Sequence, residues 1–274
     1  MNRLFEALKR NKFSRSIWVP LKDLYRKIQY SKFNNYPGLH GKISHKDAMF
    51  AGNIKHYISV GDSAMDNIEA ALKIVNITFD SLRSVLDMPS GYGRVLRSLI
   101  AKVPPEKITA CDIDADAIKF CEKEFGCKKM LSSADFSQTH FPENYSLIWV
   151  GSLFTHLDQE TFSSLLKLLF DSLETGGILV FTTQGKHSVE TFERYWGGQP
   201  VPLSREQLQK ELEKNNGFYY SPYFNAENYG IAISLKYYVI ALIERLFGSK
   251  ARFIYYNERG WDDHQDVFAI QKTG

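Results

Sequence analysis

The chain has 274 residues, 44% hydrophobic and 24% charged, with a formal net charge of +3. That length can bury one large core, and the composition excludes a disordered or fibrous chain. No apolar run reaches the roughly 20 residues of a membrane-spanning helix, and the first residues lack a signal peptide's apolar stretch, so the reading is a cytoplasmic protein.

The net charge conceals an asymmetry. Residues 1–46 hold eleven Lys and Arg against Glu6 and Asp23, a balance of +9 that leaves −6 on the remainder. Apolar positions from Leu4 and Phe5 through Trp18, Leu21, Leu24, Tyr25 and Ile28 recur at roughly helical spacing. A basic amphipathic helical arm over 1–46 is therefore expected. It either docks with its charges solvated or reaches a membrane surface or an acidic substrate.

One domain is expected over 47–274. The Gly61-Asp62-Ser63 turn predicts a helix that starts there, capped by Asp62 or Ser63. A strand at 84–88 then runs into Pro89-Ser90-Gly91-Tyr92-Gly93 and a helix at 92–101. Gly91 and Gly93 remove side chains that would keep a ligand off the backbone, and a helix start offers N–H groups to an anion. Arg94 and Val95 follow Gly93 where a P-loop needs Lys and Ser or Thr, which argues against ATP or GTP hydrolysis. Leu96 stands where the nicotinamide fingerprint needs its third glycine.

Further elements follow in alternation: a strand at 107–112, a helix at 115–125 stopped by Gly126, and a short strand at 128–132. A strand at 146–150, a helix at 160–173 capped by Asp158, and a strand at 178–183 after the Thr175-Gly176-Gly177 turn come next. This rhythm predicts a parallel sheet with helices on both faces. Residues 184–233 read as a long aromatic insertion, containing Tyr195-Trp196, Phe218-Tyr219-Tyr220 and Asn228-Tyr229. Segments 252–257 and 266–271 both read as strands, and the eight residues between them are too few for a crossover helix. The last strand must therefore return antiparallel. Cys111, Cys121 and Cys127 have neither metal-ligand spacing nor an even count, so they are expected as buried free thiols, and no metal is called for.

In this order the motifs resemble the class I S-adenosylmethionine-dependent methyltransferases. Asp87 to Gly93 is similar to that family's first motif, Ala110-Cys111-Asp112-Ile113-Asp114 to its second and Ser133-Ala134-Asp135-Phe136 to its third. Residues 147–157 are similar to its fourth strand and following loop, and 173–180 to the glycine turn before strand five. The resemblance implies an α/β, Rossmann-like three-layer sandwich with a mostly parallel seven-stranded sheet whose last strand is antiparallel, with S-adenosylmethionine as cofactor. Pro89 departs from the family's usual loop glycine, fixing φ near −65° and removing an N–H donor.

The same resemblance places Tyr57, Ser63, Asp87, Pro89, Ser90, Gly91, Tyr92, Gly93, Asp112, Ile113, Ala134, Asp135, Phe136, Gly151 and Ser152 around the cofactor. Asp112, 21 residues after Gly91, either accepts hydrogen bonds from both ribose hydroxyls or caps the next helix. Asp135, with the Ala134 and Phe136 backbone, meets the adenine or belongs to a surface loop. Asp87 suits an ammonium. Tyr57 and Ser63 form a lid, unless Tyr57 is a core aromatic, and Tyr92 faces the sulfonium or simply packs.

A hydroxyl acceptor must lose a proton, and His156, beyond strand four, is the candidate base; its other reading lines the pocket. His187, Tyr229, Trp261 and His264 are the acceptor-side candidates, with His187 and His264 as second-choice bases. The expected function is methyl transfer to a small-molecule or glycan-precursor acceptor, preferably at oxygen. An RNA methyltransferase, suggested by the basic arm, and a non-catalytic S-adenosylmethionine-binding protein are the alternatives.

Overall fold

Successive strand residues send side chains to opposite faces of a sheet, and the central strands of this chain are apolar at both alternations. The computed structural model describes residues 25–33, 35–192, 203–224 and 229–274. Strands β1 (Val85–Asp87), β2 (Ile108–Asp112), β3 (Lys128–Leu131), β4 (Tyr145–Val150) and β5 (Leu173–Thr183) form its first half. Strands β8 (Ala251–Trp261) and β9 (Gln265–Lys272) complete one seven-stranded sheet in the order β3-β2-β1-β4-β5-β9-β8. The first five strands run parallel, and β9 lies antiparallel to β5, from Ile178 opposite Gln271 to Thr183 opposite Asp266. The short hairpin after β8 leaves the chain no other way to pair.

All six residues of β4 are buried. Ile148 and Val150 pack into one core with Leu86, Leu179, Phe181 and Phe268, under α4 (Gln159–Asp171) and α7 (Lys236–Phe247). Leu147 and Trp149 pack into the other with Val85, Ile178, Val180 and Val267, under α1 (Ile54–Ile74) and α3 (Ala115–Phe125). Each such buried side chain contributes about 1.5–3 kcal/mol, so both faces must stay covered. The expected three-layer sandwich is the result.

Several local expectations need correcting. Helix α1 starts at Ile54, not near residue 62, because the Asn53 side chain accepts from the His56 N–H and caps it. Gly61 lies inside that helix, where a Cβ would come within 2.6 Å of Ser98 Oγ and 2.9 Å of the Arg94 carbonyl. Its glycine marks close packing and not a turn. The predicted 92–101 helix shrinks to α2 (Leu96–Leu99), so a long helix does not point its dipole at the loop. Strand β5 begins at Leu173 and runs through Gly176 and Gly177, absorbing them where its register with β4 shifts between Tyr145 and Leu147.

The aromatic insertion has structure of its own. It holds α5 (Lys186–Glu190), α6 (Arg205–Lys214) and a separate antiparallel sheet of β6 (Phe218–Pro222) and β7 (Gly230–Ser234). Tyr195, Trp196, Asn228 and most of the predicted arm lie outside the described residues. Within the described part of the arm, residues 25–31 are helical. Residues 40–46 are pinned to α2 and α3: Arg97 Nη1 donates to the His40 carbonyl at 2.7 Å, Lys42 N to Glu124 at 2.8 Å, and Lys46 pairs with Asp116 at 2.6 Å. Among the described residues no helix is long and apolar enough to cross a membrane.

Candidate active site

Strand β1 lies between β2 and β4, so the connections leaving its two sides diverge and open a crevice at the carboxyl ends of the strands. Asp87, Asp112 and Gly151 stand at that edge. The chain leaves β1 through a cis Met88–Pro89 bond. Ser90 N then donates to the Cys111 carbonyl at 2.9 Å and Gly91 N to Asp112 Oδ2 at 2.7 Å, while Asp112 Oδ1 accepts from Asp114 N at 2.9 Å. Asp112 therefore braces the glycine loop. Asp114 is the residue that caps α3, through the N–H groups of Asp116 and Ala117. Each Asp112 oxygen keeps a further lone pair for a ligand hydroxyl.

Asp87 is fully buried and its Oδ2 has no hydrogen-bond partner among the described residues. Burial, with the nearby Asp112 charge added, pushes its carboxyl well above the ordinary carboxylate range. A buried acid without a partner is costly, and a ligand cation is what would relieve it. Ser90 Oγ, three residues on in the loop, is also buried without a partner among the described residues. Gly91 has φ +51° and nothing within 4 Å of where a Cβ would stand. The loop thus fits a ligand that carries an ammonium and a vicinal diol and lies on bare backbone.

The two glycines predict different outcomes. Gly91→Ala is expected to cost roughly 1–2 kcal/mol of backbone strain and leave the protein folded, while its methyl group blocks the ligand. Gly93, at φ +84°, would put a Cβ 2.5 Å from the Phe125 ring, so Gly93→Ala should lower the melting temperature several degrees more. Thermal unfolding with and without S-adenosylhomocysteine (SAH) separates the two.

The other predicted residues fall into three groups. Some face the crevice edge: Ile113 is 59% exposed at the end of β2. Ser152, at φ +59°, donates its N–H to Thr182 Oγ1 at 2.8 Å and accepts from Gln265 Nε2 at 3.0 Å, which fixes the Gly151-Ser152 turn. Others are engaged nearby. The exposed Asp135 carboxylate accepts from the Ser137 hydroxyl at 2.7 Å and N–H at 3.0 Å, bonds that hold it below the usual range. Ala134 before it is exposed and Phe136 half-buried. Tyr92 donates to Asp114 at 3.2 Å, with its ring 5.7 Å from that of Phe120.

The third group is structural. Tyr57 is a core aromatic and not a lid: it is 2% exposed within α1, donates to Asp47 and lies under the Arg97 guanidinium. Ser63, also within α1, donates to the Gly260 carbonyl and accepts from Asp262 N, both at 3.1 Å, tying the helix to the β8–β9 turn. Trp261 is 4% exposed, edge-on to Trp149 at 5.5 Å, with Nε1 donating to the Val60 carbonyl at 2.9 Å. It packs the core and offers no face to an acceptor.

His156 sits in the turn after β4 with Nδ1 2.7 Å from the Gly230 carbonyl and 3.1 Å from the Tyr223 hydroxyl. A carbonyl only accepts, so Nδ1 carries the proton and the neutral ring presents a lone pair at Nε2. Burial lowers its pKa, with the Gly230 bond acting the other way. Tyr229 stacks on the imidazole at 4.7 Å. Burial, then Tyr223 and Asp112, push the Tyr229 hydroxyl up to about 12, which puts Tyr229 within electrostatic reach of the loop carboxylate. His187 and His264 form a second cluster, edge to face at 5.7 Å, and burial followed by the His187 charge lowers His264. Asp266 accepts there from the Tyr256 hydroxyl at 2.9 Å and Arg259 N at 3.0 Å.

The sequence places Tyr223 and Gln265 only within candidate acceptor-side loops and gives Asp47 no role; their partners, His156, Ser152 and Tyr57, lie on other segments. Outside the crevice, a cavity of about 410 Å³ between residues 27–46 and α3 shares Tyr92 with the loop and is rimmed by Lys27, Lys42, Lys46, Lys119 and Lys123.

Residues 85–177 match the family described as a methyltransferase domain. Over 137 residues, 50% of this chain, the sequence is 23% identical to the malonyl-[acyl-carrier protein] O-methyltransferase of Acetivibrio thermocellus. The match covers 48% of that protein, so the chain spans about half the length of this curated relative. Among solved structures, an S-adenosylmethionine-dependent methyltransferase from Clostridium acetobutylicum superposes with a TM-score of 0.56 at 13% identity, over 82% of this chain and 97% of that one. The N-methyltransferase NodS from Bradyrhizobium japonicum, in complex with SAH, gives 0.51 at 13% identity over 84% and 93%.

Proposed function

We propose that the chain is a class I S-adenosylmethionine-dependent methyltransferase that methylates a small-molecule or glycan-precursor acceptor, at oxygen: residues 85–177 match a methyltransferase domain, and the fold is shared with a solved S-adenosylmethionine-dependent methyltransferase. When bound, S-adenosylmethionine would supply an electrophilic methyl group, transferred in line to the acceptor oxygen as the methyl–sulfur bond breaks and the thioether SAH leaves, a reaction governed by positioning and water exclusion. Asp112 holds the ribose hydroxyls, Asp87 the ammonium, and Gly91 the close approach of the backbone. His156 Nε2 takes the acceptor proton, while the Gly230 carbonyl fixes the tautomer and Tyr229 the ring plane. The aromatic faces of Tyr223 and Tyr229 beside that base suit a sugar or flat acceptor.

The observation that carries this reading is the pair of carboxylates around Gly91, one bracing the loop and one buried without a partner. The test is methyl-labelled S-adenosylmethionine incubated with fractionated lysate, with mass spectrometry of labelled species. Label in a low-mass, hydroxyl-bearing compound is expected. Label confined to RNA would move the acceptor to nucleic acid, and saturable binding without label in any fraction would support the non-catalytic reading.

Contact of the basic arm with an anionic membrane surface belongs to the same reading, supported by its charge and by the lysine-rimmed cavity beside it. Vesicles containing phosphatidylglycerol are expected to retain the protein at low salt and release it at high salt; equal retention by neutral vesicles would contradict this.

A further inference from the structure

Arg94 and Arg97 leave the glycine loop three residues apart and end in opposite states. Arg97 is buried and its donors are used: Nε donates to the Gly93 carbonyl at 3.1 Å, Nη1 to His40 at 2.7 Å, and Nη2 lies 3.4 Å from both the Lys42 carbonyl and the Tyr57 hydroxyl. The Arg94 guanidinium lies 5.5 Å from the centroid of the Trp261 ring, and no described residue accepts a hydrogen bond from it or forms an ion pair with it. Burial pulls its pKa below the usual arginine value, against Tyr57, Asp47 and Asp262. Those acids are already occupied, Asp47 by Met49 N and the Tyr57 hydroxyl, and Asp262 by His56 Nε2 at 2.9 Å.

A guanidinium has five donors in a planar fork that matches a carboxylate. In Arg94 no described residue uses that fork, which leaves it open to a ligand, and stacking on tryptophan adds only about 0.5–2 kcal/mol. The position of the stack matters. Trp261 closes against Gly151, where a Cβ would come within 3.0 Å of its ring, so Arg94, which leaves the glycine loop, shares one tryptophan with the turn after β4. On the other side of that loop Asp87 has an unpartnered oxygen.

We propose that Arg94 is a carboxylate receptor in the crevice, the cationic counterpart of Asp87. Two ligands bring a carboxylate there: the amino-acid head of the cofactor and an acidic acceptor. The inference rests on the cofactor reading above. Calorimetric titrations of wild type and Arg94→Ala test it with three probes: SAH; 5′-methylthioadenosine, which lacks the amino-acid head; and succinate as a free dicarboxylate. Weakening of SAH by about tenfold or more, with methylthioadenosine unchanged and partial recovery in Arg94→Lys, supports the proposal and assigns the carboxylate to the cofactor. Loss of succinate binding with SAH unchanged supports it and assigns the carboxylate to the acceptor. Identical affinities for all three probes, or equal losses of SAH and methylthioadenosine at an unchanged melting temperature, would overturn it. Wild-type protein that binds neither adenosine ligand removes the cofactor reading instead.

Discussion

Asp112→Ala is expected to raise the dissociation constant for SAH by about 100-fold, or about 2.8 kcal/mol at tenfold per 1.4 kcal/mol. The carboxylate has two functions that the substitution removes together. It accepts the Gly91 and Asp114 N–H groups, which sets the loop, and its remaining lone pairs face the crevice where ribose hydroxyls would bind. Hydrogen bonds to a charged group contribute about 1.5–3 kcal/mol each, so two of them account for the expected loss even after partial compensation by water. The unliganded fold should change less, because removing Asp112 also removes a like charge from Asp87. The check is thermal unfolding with increasing SAH: the wild-type melting temperature climbs with ligand concentration, and that of the variant stays nearly flat. Asp112→Asn, which keeps an accepting oxygen, should fall between them.

His156→Ala is expected to cut turnover by about 100-fold or more, the range of a general base, with SAH affinity within about twofold of wild type. The ring is held as a base and not as an acid, because a donor at Nδ1 leaves Nε2 free and burial keeps its pKa below 6.5. The sign of the pH dependence follows. The active form is neutral, so turnover holds through neutral pH and falls only as acidification passes the lowered pKa, giving an acid limb below about pH 6.5. Single-turnover rates across pH check this. A variant with wild-type turnover and weakened SAH binding would move His156 to a pocket-lining role, and an acid limb shifted above 6.5 would contradict the burial argument.

The sheet was largely legible because its signals are local. The apolar run of β4, the Gly126 stop of α3 and the eight-residue gap before the last strand each depend on a few neighbouring residues. Gly91 and Asp112 were legible for the same reason, as a glycine loop and a strand end, while Asp87 joined them through the resemblance of its motif. What escaped was set at long range. Gly61 resembles a turn in sequence and is a helix contact with Ser98 in the fold. Trp261 resembles an acceptor platform in a polar hairpin, yet its indole N–H is claimed by Val60, 201 residues away. Strands β6 and β7 are split by residues 223–229, so neither shows a hairpin spacing. The tautomer of His156 depends on a carbonyl 74 residues downstream, which no motif announces.

The central claim, that the loop between β1 and α2 is an S-adenosylmethionine cradle, is tested most directly by calorimetric titration of SAH into wild type and Asp112→Ala side by side. Saturable binding of one ligand per chain in the wild type, weakened by about 100-fold in the variant, is the predicted result; no saturable binding to the wild type, or equal binding to both, would contradict it.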